Sequence, residues 1–181
     1  ALRRHPKEAA RGLASVLDLD IDEILDVEVE WAPEPEAHLR DRTAFDAFVQ
    51  YRTGRGQCAF LGVETKYTES FSPERHTSER YDAITRDPAS GFKPGAECRL
   101  ADPATNQLWR NALLTHSLRS TDEFDDGHVV VLSCEGDTAA QAATTGLNSE
   151  LRDPSALLRS ATYEDLVSRF ASEPGLSSWA V

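Results

Sequence analysis

Residues 57–67, Q-C-A-F-L-G-V-E-T-K-Y, are an apolar run of strand length into which one acid and one amine, Glu64 and Lys66, are set two positions apart. Side chains alternate faces along a β-strand. Glu64 and Lys66 therefore share a face, with Cα atoms about 6.5 Å apart, while Leu61, Val63 and Thr65 take the other. Ionised groups avoid the middle of a sheet unless partners are supplied. Upstream, residues 44–52 are a second strand candidate, and Thr53-Gly54-Arg55-Gly56 between the two carries the glycines of a short hairpin loop. A loop centred on Arg55 predicts a register with Asp46 opposite Glu64, Phe48 opposite Gly62 and Val49 opposite Leu61. Both carboxylates then project from one face of neighbouring strands, with Cβ atoms about 4.5–5.5 Å apart, where they repel each other. A divalent cation removes the conflict.

Mg²⁺, or Mn²⁺ in its place, is a hard ion that binds oxygen, and Mg²⁺ commonly takes one or two carboxylates while keeping several waters. Asp46 and Glu64 are thus candidate metal ligands. Lys66 beside them is suited to stabilising phosphoryl charge or to orienting an attacking water. An E-x-K triplet by itself arises by chance in chains of this size and is usually a solvated surface pair. Three features lift it here: it ends an apolar strand, an Asp stands at the complementary hairpin position, and Lys66 is one of three lysines beside sixteen arginines. A compact amine that loses its proton readily differs from a guanidinium, so the choice of lysine carries information.

Asp46, followed on the next strand by Glu64-x-Lys66, resembles the PD-(D/E)XK nuclease signature. The flanking F-D-A-F (45–48) and G-V-E-T-K-Y-T-E-S-F (62–71) are similar to a branch of restriction endonucleases. The motif core spans residues 44–71, and Phe45 replaces the proline of the P-D dipeptide. The resemblance implies a restriction-endonuclease-like α/β fold, with a central mixed β-sheet flanked by helices. It also implies a Mg²⁺-dependent phosphodiesterase that hydrolyses DNA, in restriction or defence. Position by position, Asp46 and Glu64 match the metal-binding acids, the Thr65 carbonyl a backbone ligand to the metal, and Lys66 the catalytic lysine. An upstream acid sometimes joins such a site, and Glu28, Glu30 and Glu8 are the candidates. On this reading Glu64→Ala abolishes cleavage and leaves the fold intact. Two rivals keep the fold and change the function: a non-catalytic module for protein association, and an RNA or nucleotide phosphodiesterase. Nucleases that cut both strands often act as homodimers, so that state is also expected.

The net charge of −12 opposes nucleic-acid binding, which ordinarily needs clustered Lys and Arg. Its distribution softens the objection. Residues 1–56 carry eight basic and twelve acidic side chains and residues 121–181 three and eleven, whereas residues 72–119 carry seven and six. DNA contacts belong in that near-neutral middle, with Arg75, Arg80, Arg86 and Lys93 as candidates. The 181 residues suit one α/β domain, over 1–171, with residues 172–181 as a flexible tail in which Trp179 is the one docking candidate. No run of about 18 apolar residues offers a transmembrane span, and no signal-peptide pattern opens the chain. The chain lacks Met altogether, which reads as a trimmed domain whose missing N-terminal segment or partner supplies specificity. Cys58, Cys98 and Cys134 are too scattered for a zinc cluster or disulfide framework, which points to reduced thiols and the cytoplasm.

Outside the motif, residues 6–18 read as a helix and 24–31 as a half-exposed strand. A long connection rich in Ser, Pro, Gly and charge is expected from Phe71 to about residue 101. Asp102-Pro103 reads as an N-cap and first helical residue, opening a helix to about Leu118. Its Gln107 and Asn111 share a face, and Gln107 is a candidate contact to a nucleic-acid backbone. Residues 128–134 read as a buried strand, 139–147 as a helix capped by Asp137 or Thr138, and Thr162 as the cap of a last helix. Ser70 and Ser72 near His76 lack a G-x-S-x-G context for hydrolase chemistry, and no phosphate-binding or dinucleotide-binding glycine motif is present.

Overall fold

A computed structural model describes residues 2–67 and 74–177. Five strands form one sheet in sequence order: β1 (Glu23–Trp31), β2 (Phe45–Arg52), β3 (Cys58–Lys66), β4 (Asp126–Ser133) and β5 (Leu158–Thr162). The pairs β1–β2 and β2–β3 are antiparallel, while β3–β4 and β4–β5 are parallel. Parallel neighbours need crossovers. The first contains α2 (Glu79–Arg86), α3 (Ala96–Leu100) and α4 (Pro103–Arg119), and the second contains α5 (Thr138–Ser149). Helices α1 (Pro6–Leu17) and α6 (Tyr163–Ala171) complete the mixed α/β architecture that the resemblance implies.

The two faces of the sheet carry separate cores. Phe45, Phe48 and Phe60 pack with Trp109 and Leu113 of α4 and Leu147 of α5. On the other side, Val49, Leu61 and Val130 pack with Ala9, Leu13 and Leu17 of α1 and Phe170 of α6. Helix α4 is buried along most of its length, which suits a helix lying between the sheet and its neighbours. It starts as its first residues require: the Asp102 carboxylate accepts the Ala104 N–H, and Pro103 needs no N–H of its own. The Asp137 and Thr162 side chains likewise accept from Ala140 and Asp165 N–H at the starts of α5 and α6.

Three expectations change. The connection before residue 101 contains α2 and α3; Ser78 caps α2 by accepting the Tyr81 N–H, and the buried Tyr81 and Ile84 anchor it. Strand β5, L-R-S-A-T, has only its first residue buried, so it shows none of the apolar alternation by which strands are read. Within residues 172–177, part of the expected tail, Leu176 is 0% exposed and buried Glu173 accepts hydrogen bonds from Arg11 and Arg169, while Ser172, Pro174 and Ser177 are exposed. Trp179, Ser70, Phe71 and Ser72 lie outside the described residues.

Candidate active site

The hairpin register follows the predicted one, with Phe48 against Gly62 and Val49 against Leu61. The ladder ends at Ala47–Val63, one residue short of Asp46 and Glu64. Here strict alternation fails. Phe45 joins the same core as Phe48, its ring lying so close over Gly62 that a Cβ there would stand 2.4 Å from it. Glu30, which the β1–β2 register sets opposite Asp46, has a φ of 52°. The kink carries Trp31 and Phe45 into one aromatic stack with Phe48. Asp46 stays exposed, and its Oδ2 accepts both the Thr65 N–H at 2.7 Å and the Thr65 hydroxyl at 2.8 Å. The expected head-on carboxylate pair is therefore corrected to an acid held by the next strand.

Glu64 and Lys66 do share the buried face, 1% and 5% exposed. The Lys66 ammonium lies 2.7 Å from Glu64 Oε1. Gln107 Nε2 donates to the same Oε1 at 2.6 Å and Asn111 Nδ2 to Oε2 at 2.9 Å, while Gln107 Oε1 stands 3.5 Å from Lys66 Nζ. One turn of α4 thus grips the acid from above. Burial pushes the Glu64 carboxyl above its usual range; the bond from Lys66 pulls it back, and the charge of nearby Asp46 pushes it further up.

Asn111, 2% exposed, belongs to the site, although its sequence signal was only its four-residue spacing from Gln107 inside an apolar helix. The neighbouring Asn106 pins the returning chain, accepting the His76 N–H and donating to the His76 carbonyl. The proposed DNA-contacting cations are spread out. Lys93 donates to the Ser149 carbonyl at the end of α5, Arg86 pairs with Glu97 and Asp82, and Arg80 donates to the His38 carbonyl. Arg75 is exposed on the wall of a separate cleft of about 530 Å³ beside the start of α4. Of the upstream acids, Glu8 pairs with Arg11 on α1, and Glu28 and Glu30 are exposed.

No group of three or more His, Cys, Asp or Glu side chains suited to a metal ion occurs among the described residues. Mg²⁺ commonly takes one or two carboxylates and completes its octahedron with waters, so Asp46 and Glu64 are of the donor type it uses. The buried amine already rests against one of them, where it neutralises the charge that a cation would otherwise meet. A family model described as the PD-(D/E)XK nuclease superfamily matches residues 1–181, the whole chain. No curated protein and no solved structure matches the chain.

Proposed function

From the premise that this chain belongs to the PD-(D/E)XK nuclease superfamily, we propose that it is a divalent-metal-dependent endonuclease that hydrolyses DNA phosphodiester bonds, in restriction or defence. The observation that carries the reading is the buried acid–amine pair, Glu64 and Lys66 at 2.7 Å, set beside Asp46 at the sheet's edge. Burying both groups costs desolvation that their mutual attraction need not repay, so stability alone is a weak reason for the pair.

In this reading Asp46, Glu64 and the Thr65 carbonyl hold Mg²⁺ or Mn²⁺. When bound, the ion supplies Lewis-acid stabilisation to the phosphoryl oxygens and activates water. Lys66 leaves Glu64 Oε1 and turns its N–H groups to the attacking water or the developing phosphoryl charge. Gln107 and Asn111 keep the Glu64 carboxylate oriented through that exchange, the first from Oε1 and the second from Oε2. Thr65 does the same for Asp46.

The test is incubation of the purified protein with DNA and RNA, with and without Mg²⁺. DNA cleavage that requires the metal is expected, with at least a hundredfold loss in Glu64→Gln, the order of effect of removing one group from a preorganised site. Undiminished cleavage by that variant would remove Glu64 from the chemistry. Cleavage confined to RNA would reassign the substrate, and no cleavage alongside no metal affinity would leave a binding module.

A further inference from the structure

The strand registers extend beyond the acid–amine pair. Lys66 pairs with Ser133, and Ser133 with Thr162, so these three form one row across the ends of β3, β4 and β5. The residues that follow them are Tyr67, Cys134 and Tyr163. Two aromatic rings therefore leave the sheet at the edge where the candidate active site lies. Tyr67 is 67% exposed, and its ring meets that of Tyr163 edge to face, with centroids 5.9 Å apart at 76°. The Cys134 thiol donates to the Tyr67 carbonyl at 3.5 Å. An aromatic side chain so exposed, held by a second ring, has most of its surface in water for no gain to the core.

A groove of about 340 Å³ lies between α5 and the β4–β5 edge, lined in part by Cys134, which meets the Tyr67 carbonyl, and by Thr162, which precedes Tyr163. Ser133, Gln141, Thr144, Asn148, Ser160 and Asp165 are on its walls, all hydroxyl, carboxamide or carboxylate groups. No Lys or Arg lines it, and Glu164 accepts the Glu135 N–H close by. Such walls suit neutral hydrogen-bonding edges and offer a phosphate no cation. With a net charge of −12, the chain as a whole is also poorly matched to a duplex, which is gripped mainly through its phosphates.

We infer that the Tyr67–Tyr163 pair and the adjoining groove receive an unpaired nucleotide of the strand whose phosphodiester reaches Lys66, with the base stacked on Tyr67 and its polar edge in the groove. The substrate class is then single-stranded or locally unpaired nucleic acid, held by stacking more than by backbone charge. Every base has a π-face, so a tyrosine platform binds unpaired strands with little sequence preference, whereas bases in a duplex keep theirs covered. Asp165, Gln141 and Asn148 offer acceptors and amide donors of the kind that read exposed base edges. This inference rests on the nuclease reading above and narrows its substrate.

The experiment measures binding and cleavage separately. Short deoxyribo-oligonucleotides carrying 2-aminopurine, single-stranded or annealed, and the matching ribo-oligonucleotide are titrated with wild-type protein, Tyr67→Ala and Tyr67→Phe, in Ca²⁺ and again in EDTA. The expected result is tighter binding of the single strand than of the duplex, with quenching of 2-aminopurine. Tyr67→Ala should weaken single-strand binding about tenfold, and Tyr67→Phe should retain it. Equal or tighter duplex binding, or an unchanged affinity in Tyr67→Ala, would overturn the inference. The ribo-oligonucleotide shows whether the same platform takes RNA. Failure of the nuclease reading shows up elsewhere, as absence of cleavage in Mg²⁺ by wild-type protein. Cleavage of duplex and single strand at equal rates, unaffected by Tyr67→Ala, would sink this inference alone.

Discussion

Glu64 holds its place through three donors, and the strongest of them is a buried ammonium. A pair this dry behaves unlike a surface ion pair, because deleting one partner leaves the other's desolvation uncompensated. Glu64→Ala is therefore expected to lower stability by about 3–5 kcal/mol as well as to abolish cleavage, which amends the expectation of an intact fold. The check is the urea midpoint of Glu64→Ala against that of Glu64→Ala/Lys66→Met. The double variant should recover most of the loss, and equal midpoints for wild type and Glu64→Ala would mean that the pair contributes no more than a solvated one. The E-x-K spacing was enough to place both groups on one face, since strand geometry has a period of two. Nothing in that spacing announced Asn111, whose role depends on how closely α4 approaches β3.

At the level of elements, the kink at Glu30 and Phe45 decides where Asp46 goes. Alternation would send Asp46 into the core face, but the Trp31–Phe48–Phe45 stack buries Phe45 there and leaves the acid at the edge beside Thr65. A left-handed φ at a glutamate costs on the order of 1–3 kcal/mol, which burial of the rings offsets. Gly62 is the complementary requirement, because any Cβ would collide with the Phe45 ring. Gly62→Ala is expected to cost about 1–3 kcal/mol through overpacking and to displace Asp46 with Phe45. A denaturant titration reads the first effect and Mg²⁺-dependent cleavage the second; an unaltered midpoint would show that the ring moves aside freely. Strands β1 to β4 and helices α1, α4, α5 and α6 were legible because each carries an apolar period or a cap. Helix α2 and strand β5 were not, because α2 buries few residues within a charged segment and β5 buries one.

The whole molecule is acidic, yet the clearest titration expected of its fold belongs to His128 on β4. Burial lowers the His128 pKa from 6.5 to about 4; Asp126 opposes the shift, and Arg159 and Arg119 reinforce it. Between those values the unfolded chain binds a proton that the folded one does not. Stability is therefore constant with respect to His128 above pH 6.5 and is lost as the pH falls towards 4, by about 3 kcal/mol in all. Urea midpoints of wild type and His128→Gln across that range should diverge in slope, the variant's being flatter. Parallel curves would show that His128 titrates normally. The same global packing draws residues 172–177 onto α1 and α6, where Glu173 meets Arg11 and Arg169.

The sequence by itself determined the hairpin register and the identity of the Glu64–Lys66 pair, because these follow from local periodicity, turn chemistry and spacing, and the family resemblance carried by that pair supplied the mixed α/β class. Tertiary structure alone decided that α4 brings Gln107 and Asn111 to Glu64, that Asp46 turns to Thr65, and that Tyr67 and Tyr163 meet at one edge. These depend on contacts between residues tens of positions apart, set by competition for buried volume around Phe45 and Gly62 and by the parallel registers of β3, β4 and β5.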